Sequence, residues 1–127
     1  MQLSALAAVG LGAVLGAWAR WGLGAALNAL VPNLPLGTLV ANLAGGYLVG
    51  VAVAQFDQIA GLPPEARLFV ITGFLGALTT FSTFSAESVS LLQTGRYGWA
   101  VAHAGAHLLG SLAMTVLGLE TVRVLRG

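Results

Sequence analysis

The chain has 127 residues, of which 57% are hydrophobic and 7% charged, and its net charge is +1 at pH 7. Soluble domains carry roughly 25% charged residues, so with a mean hydropathy of +0.91 this chain cannot cover a water-facing surface and reads as an integral membrane protein. Cysteine is absent, which excludes disulfides and thiolate metal sites, and the basic residues are scattered Arg with no Lys, which argues against nucleic acid as a partner.

At about 20 residues per span, the length accommodates one all-α domain, residues 1–127, with four transmembrane helices joined by short connections. No basic region precedes the first apolar run, and that run is too long for a signal peptide.

The first span is expected over about residues 3–30. It is rich in Ala and Gly, with Gly12 and Gly16 in the spacing that lets helices approach closely in lipid. Arg20 lies inside it, between Trp18 and Trp21. Two readings stand side by side: an arginine snorkelling to an interface beside belt tryptophans, or a buried anchor bonding backbone carbonyls. Asn28 and the segment Pro32-Asn33-Leu34-Pro35 end the span in a turn.

The second span is expected over about residues 36–56. Thr38, Asn42 and Gly45 or Gly46 share one helical face, and Gly46 and Gly50 repeat the close-packing spacing. The Asn42 amide needs up to four hydrogen bonds. It serves either as interhelical glue or as a donor lining a pore, the latter being preferred. The loop from Asp57 to Glu65 holds Pro63-Pro64 and a cluster of acids.

The third span is expected over about residues 68–94, and its centre, Gly73 to Ser85, reads GFLGALTTFSTFS. Thr79, Thr80, Ser82, Thr83 and Ser85 place five hydroxyls within seven residues. Gly costs up to about 1 kcal/mol in a helix interior, β-branched Thr adds little propensity, and buried hydroxyls need partners. A helix break is therefore expected here. Non-helical backbone at membrane depth is tolerated only against protein or a water-filled cavity, which makes the stretch a pore or ion site. Glu87, further along the same span, is an intramembrane acid and a functional candidate, unless it lies near an interface.

The fourth span is expected over about residues 97–125. His103 and His107 stand four residues apart on one face, with Ser111 one turn on. That spacing can bind a metal, but without a third ligand nearby the expected role is packing or hydrogen bonding of neutral rings. Ser111 extends the polar line and could face a pore. Four spans put both termini on one side with Arg67, Arg123 and Arg126, and leave Arg96 on the other. So small a bias is weak orientation information, compatible with insertion both ways.

The motifs, taken in order, resemble the Fluc (CrcB) family of fluoride channels. Gly16-Ala17-Trp18-Ala19-Arg20-Trp21 resembles a first-helix GAxxR signature, and Gly37-Thr38-Leu39-Val40-Ala41-Asn42 a second-helix GTLxxN motif. The stretch from Gly73 to Ser85 resembles GFxGGxTTFSTF. One departure is Ala77, where the family usually has a second Gly; a negative φ there would leave packing intact, a positive one would bring strain.

The resemblance implies a fluoride-selective channel in the inner cell membrane that lets the anion leave the cytoplasm passively and so limits its toxicity. It implies a dual-topology homodimer of antiparallel four-helix subunits with two fluoride pathways. It implies a structural, untransported Na⁺ at the dimer centre, held by backbone carbonyls at Gly76 and Thr79 of each copy. Phe81 and Phe84 match pore-facing phenylalanines, Asn42 a pore amide and Glu87 an acid near a pore mouth. Ser82, Thr83, His107 and Ser111 fall where polar groups could line the path, while Arg20 matches a structural anchor.

The physics agrees. A strongly hydrated anion needs replacement donors, which Asn amides and Ser/Thr hydroxyls supply. Aromatic edges are electropositive, so Phe81 and Phe84 could meet an anion without trapping it. Carbonyls that lose helical partners at a break can hold a hard cation, and a two-fold axis doubles their number. The alternatives are a small dual-topology multidrug transporter, which would want an acid inside the first span where this chain has Arg20, and an inert structural subunit, which would leave the hydroxyls and Asn42 unexplained. No triad or carboxylate pair converges at one depth, so no enzyme is expected.

Overall fold

A computed structural model describes residues 2–127. The chain is all-helical, with four helical stretches long and apolar enough to cross a membrane. Helix α1 spans Leu3–Leu27 and α2 spans Leu36–Phe56. The third crossing is composite. It starts as α3 (Pro64–Arg67), continues as a π-helical segment (Leu68–Leu75) and then α4 (Gly76–Leu78), and resumes after an interruption as α5 (Phe81–Gln93). Helix α6 spans Tyr97–Arg126. The first helix stops three residues short of the expected end, because Asn28 to Leu30 already belong to the turn. The third begins earlier than expected, because Pro64 starts a helix without losing a needed N–H.

The two glycine spacings do different jobs. Gly12 and Gly16 seat α1 against the first half of the third crossing: a methyl at Gly12 would strike Phe69 O and lie 2.9 Å from Phe74 N, and one at Gly16 would strike Phe74 O. Gly73 completes that contact from the other side, its added methyl lying 3.1 Å from Gly12 Cα. Gly46 and Gly50 seat α2 on α6, opposite Ser111, Thr115 and Gly118. Backbone-to-backbone approach of this kind gives dispersion contact and close carbonyl neighbours where lipid offers no hydrophobic drive. The bundle thus pairs α1 with the third crossing and α2 with α6, while α5 leans on α6.

Large apolar side chains point outward along every crossing, among them Leu11, Leu48, Val89, Leu109 and Val116. The buried positions include many small or polar residues, such as Ala41, Ala52, Thr38, His103 and His107, beside only a few large apolar ones, Leu75, Leu78, Leu91 and Val122. This inversion suits a bundle surrounded by lipid. The polar ends pair across loops, with Arg96 Nη1 donating to Asn33 Oδ1 at 2.7 Å at one end. At the other, Arg126 Nη2 donates to Gln55 Oε1 at 2.6 Å and Arg67 faces Asp57 at 3.7 Å.

Candidate functional site

The expected break is present, at the middle of the 30-residue apolar stretch Pro64–Gln93. It falls on Thr79 and Thr80, whose backbones are extended (φ −87°, ψ 157° and φ −152°, ψ 123°). The glycines ahead of it do not make it: Gly76 is helical at φ −62°, and Gly73 is there to pack. Ala77 brings no strain, since no described non-glycine residue has a positive φ.

The hydroxyls near the break bond locally, and one of them caps the helix that follows. Thr79 Oγ1 donates back to Leu75 O at 2.9 Å. Thr80 is the N-cap of α5, its Oγ1 accepting from Thr83 N–H at 3.1 Å, which satisfies one orphan donor of the new helix start. Ser82 is exposed, with its Oγ 3.4 Å from Thr80 Oγ1.

Asn42 reaches across from α2 and takes the place of a strand partner for Thr80. Thr80 N–H donates to Asn42 Oδ1 at 2.8 Å, and Asn42 Nδ2 donates to Thr80 O at 3.1 Å. The second amide hydrogen faces His107 Nδ1 at 3.0 Å. Arg20 reaches in from α1, its Nε donating to Ala77 O at 3.0 Å. Of the two readings of Arg20, the carbonyl anchor is the one the geometry supports: a guanidinium sits at the carbonyl end of a helix, where the macrodipole favours positive charge. Trp18 and Trp21 beside it are exposed.

Several carbonyls lose their helical donors at the break, those of Gly76 and Thr79 among them. In an unbroken helix Gly76 O and Thr79 O would receive the N–H groups of Thr80 and Thr83. Both donors are diverted, the first to Asn42 and the second to Thr80 Oγ1. Gly76 is exposed and Thr79 half-buried.

A cavity of about 430 Å³ opens beside the break. Asn42, Thr79, Phe81, Phe84, His107 and Ser111 are among the residues lining it. The rings of Phe81 and Phe84 lie 5.4 Å apart and tilted by 51°. Phe81 is 78% exposed, whereas Phe84 stacks parallel on His103 at 5.2 Å and tilts against His107 at 4.9 Å. A second cavity of about 240 Å³ lies on the other side of the break, between Arg20, Asn28, Thr38, Thr80 and Thr83.

Glu87 belongs to a buried polar chain. Thr38 Oγ1 donates to Glu87 Oε2 at 2.7 Å, Glu87 Oε1 meets His103 Nε2 at 2.9 Å, and His103 Nδ1 meets Ser88 Oγ at 3.0 Å. The carboxylate is thus bonded on both oxygens inside the bundle, and His103, fully buried, is satisfied on both nitrogens. Sequence reasoning expected packing or hydrogen bonding of both histidines but named no partner for either, and it overlooked Ser88. The available signal was the need of a buried acid and a buried imidazole for partners. With Glu87 the two histidines do form a three-membered group, their ligating atoms within 4.8 Å of one another. The lone pairs are committed, however: Glu87 and His103 bond each other, and His107 Nδ1 takes the N–H of Asn42.

Four apolar crossings, one of them interrupted at mid-depth and stitched by an asparagine and an arginine from its neighbours, define a multi-pass membrane protein with its chemistry inside the bundle. The profile described as CrcB-like protein, Camphor Resistance (CrcB), matches residues 7–119, and the chain belongs to that family. Among its relatives, a protein of Nitrosospira multiformis named fluoride-specific ion channel FluC is 62% identical over 97% of this chain and 96% of its own length. Namesakes from Ralstonia pickettii (strain 12J) and Pseudomonas putida (strain W619) are 64% and 58% identical, covering 91% and 99% of this chain and 92% and 99% of their own. These are ion channels by name, a class that is not enzymatic, and they lend the multidrug-transporter reading no support.

Proposed function

We propose that this chain is a fluoride-selective channel that carries the anion passively out of the cytoplasm through the inner cell membrane. The observation that carries the reading is the interrupted third crossing, set beside a cavity with polar groups and two phenyl rings in its wall. The naming of relatives that match end to end supports the choice of anion.

Fluoride holds its water tightly, so a path must offer donors in place of water. The Ser111 hydroxyl and the electropositive edges of Phe81 and Phe84 in the wall of the larger cavity would do so, with Thr83 offering a hydroxyl to the second cavity and Ser82 one at the exposed start of α5. The residues lining the larger cavity include no Lys or Arg to hold the anion too firmly for release. Glu87, bonded to Thr38 and His103, would act near the mouth of the path.

The working unit in this proposal is a homodimer of two antiparallel copies in the bilayer. The exposed face at Gly76 and Phe81 is the part of the chain that a second copy would cover. There the unpaired carbonyls of Gly76 and Thr79 suit a hard cation, and the two-fold axis would supply four of them. Na⁺ bound there would supply charge to those carbonyls and hold the two copies together, without being transported.

Reconstitution tests the proposal. Purified protein in liposomes loaded with potassium fluoride should empty them rapidly on ionophore addition, with chloride hardly released. Equal rates for the two anions would remove the selectivity, and no release of either would remove the channel.

A further inference from the structure

We infer that the hydrogen-bond donor offered to the anion at this level of the bundle is His107 Nε2–H, and that Asn42 is the positioning residue that puts the proton there. The inference rests on the channel reading above and assigns a role within it.

The orientation of the Asn42 amide is fixed by Thr80. Its oxygen receives Thr80 N–H at 2.8 Å and its nitrogen gives to Thr80 O at 3.1 Å. Turning the amide over would set donor against donor and acceptor against acceptor at both contacts. The atom that faces His107 Nδ1 at 3.0 Å is therefore an N–H. Nδ1 must accept, and a neutral imidazole with a bare Nδ1 carries its proton on Nε2.

Two consequences follow for the anion. Both hydrogens of Asn42 are spent, on Thr80 O and on His107, so the amide has none left for an ion. Conversely, Nε2 of His107 is buried and has no partner among the described residues, while the residue as a whole is only 4% exposed. A buried donor without an acceptor costs about 1–3 kcal/mol, and a small desolvated anion is the partner that relieves it. His107 is in the wall of the larger cavity, between Phe84 and Ser111 in the polar line. A neutral N–H suits transit, since it replaces one water donor without the full charge of an ammonium or guanidinium.

The test reads the ring directly. In detergent-solubilised protein with ¹⁵N-labelled histidine, NMR should show His107 as the neutral Nε2–H tautomer. Its Nε2–H resonance should move on adding sodium fluoride and stay in place with equal sodium chloride. An Nδ1–H tautomer, or indifference to fluoride, overturns the proposal whether or not the wild type conducts. Absent flux in liposomes would fail the channel reading alone.

Variants divide the roles. In His107→Gln the amide nitrogen falls near the Nε2 position, and in His107→Asn near Nδ1. Fluoride efflux should be kept within a few-fold in the first and fall by about tenfold in the second, the loss of one hydrogen bond. Equal losses overturn the donor role. Asn42→Asp, which sets an acceptor against Nδ1, should convert His107 to the Nδ1–H tautomer; persistence of Nε2–H in folded protein overturns the positioning role of Asn42.

Discussion

Phe81 and Phe84 share a motif and one helical turn, yet they live in different surroundings. Phe84 packs against two imidazoles that also touch each other, the three rings forming a cluster. Phe81 stands out from the bundle at the start of α5. If their edges guide an anion, what matters is the ring quadrupole rather than bulk. Phe81→Ile and Phe84→Ile should each slow fluoride efflux from liposomes while gel filtration still shows the assembled protein. Undiminished efflux in both would take the rings out of the path. Arg20 shows how far composition can mislead at this scale. An arginine flanked by tryptophans in an apolar run has the look of an interfacial residue, and only its contact with Ala77 O shows that it closes a helix end.

At the scale of the element, the third crossing is held open from outside. Its own sequence weakens the helix at Thr79 and Thr80, but weak propensity alone does not break one, because propensity is a prior that tertiary context overrides. What holds the extended pair is the exchange of two hydrogen bonds between Thr80 and Asn42, backed by Arg20 on Ala77 O. The sequence pattern located the break to within a few residues and gave part of the cause in the hydroxyls, since Thr80 Oγ1 caps the helix that follows. The pattern gave a wrong cause in the glycines, since Gly73 packs on α1 and Gly76 stays helical. The close packing of α1 on this crossing is testable. Gly16→Val would drive side-chain atoms into the Phe74 backbone and should lower the thermal midpoint markedly, in the range of overpacking costs of about 1–3 kcal/mol or more. Gly22→Ala, with nothing within 4 Å of the added methyl, should leave the midpoint unchanged or slightly raised. The same melting curve for both would refute the contact.

For the whole molecule, the open question is what covers the break. Under the proposed assembly, a cation bridges the carbonyls of two copies, so its removal should loosen the dimer as well as stop conduction. Protein purified with N-methyl-D-glucamine in place of Na⁺ should lose fluoride efflux and regain it when Na⁺ is restored. A Na⁺-free dimer of full activity would refute the cation role.

The sequence by itself determined the class of protein, the four crossings and the approximate place where one of them fails. Hydrophobicity, span length and the clustering of hydroxyls are local properties, and each reads directly from neighbouring residues. What partners those polar groups found was decided only by the tertiary structure. Asn42 meets Thr80, 38 positions away, Thr38 meets Glu87 at 49 and Arg20 meets Ala77 at 57. Which of two donors stays free, an amide or an imidazole, depends on those long-range pairings, because a hydrogen bond spends a group wherever in the chain its partner lies.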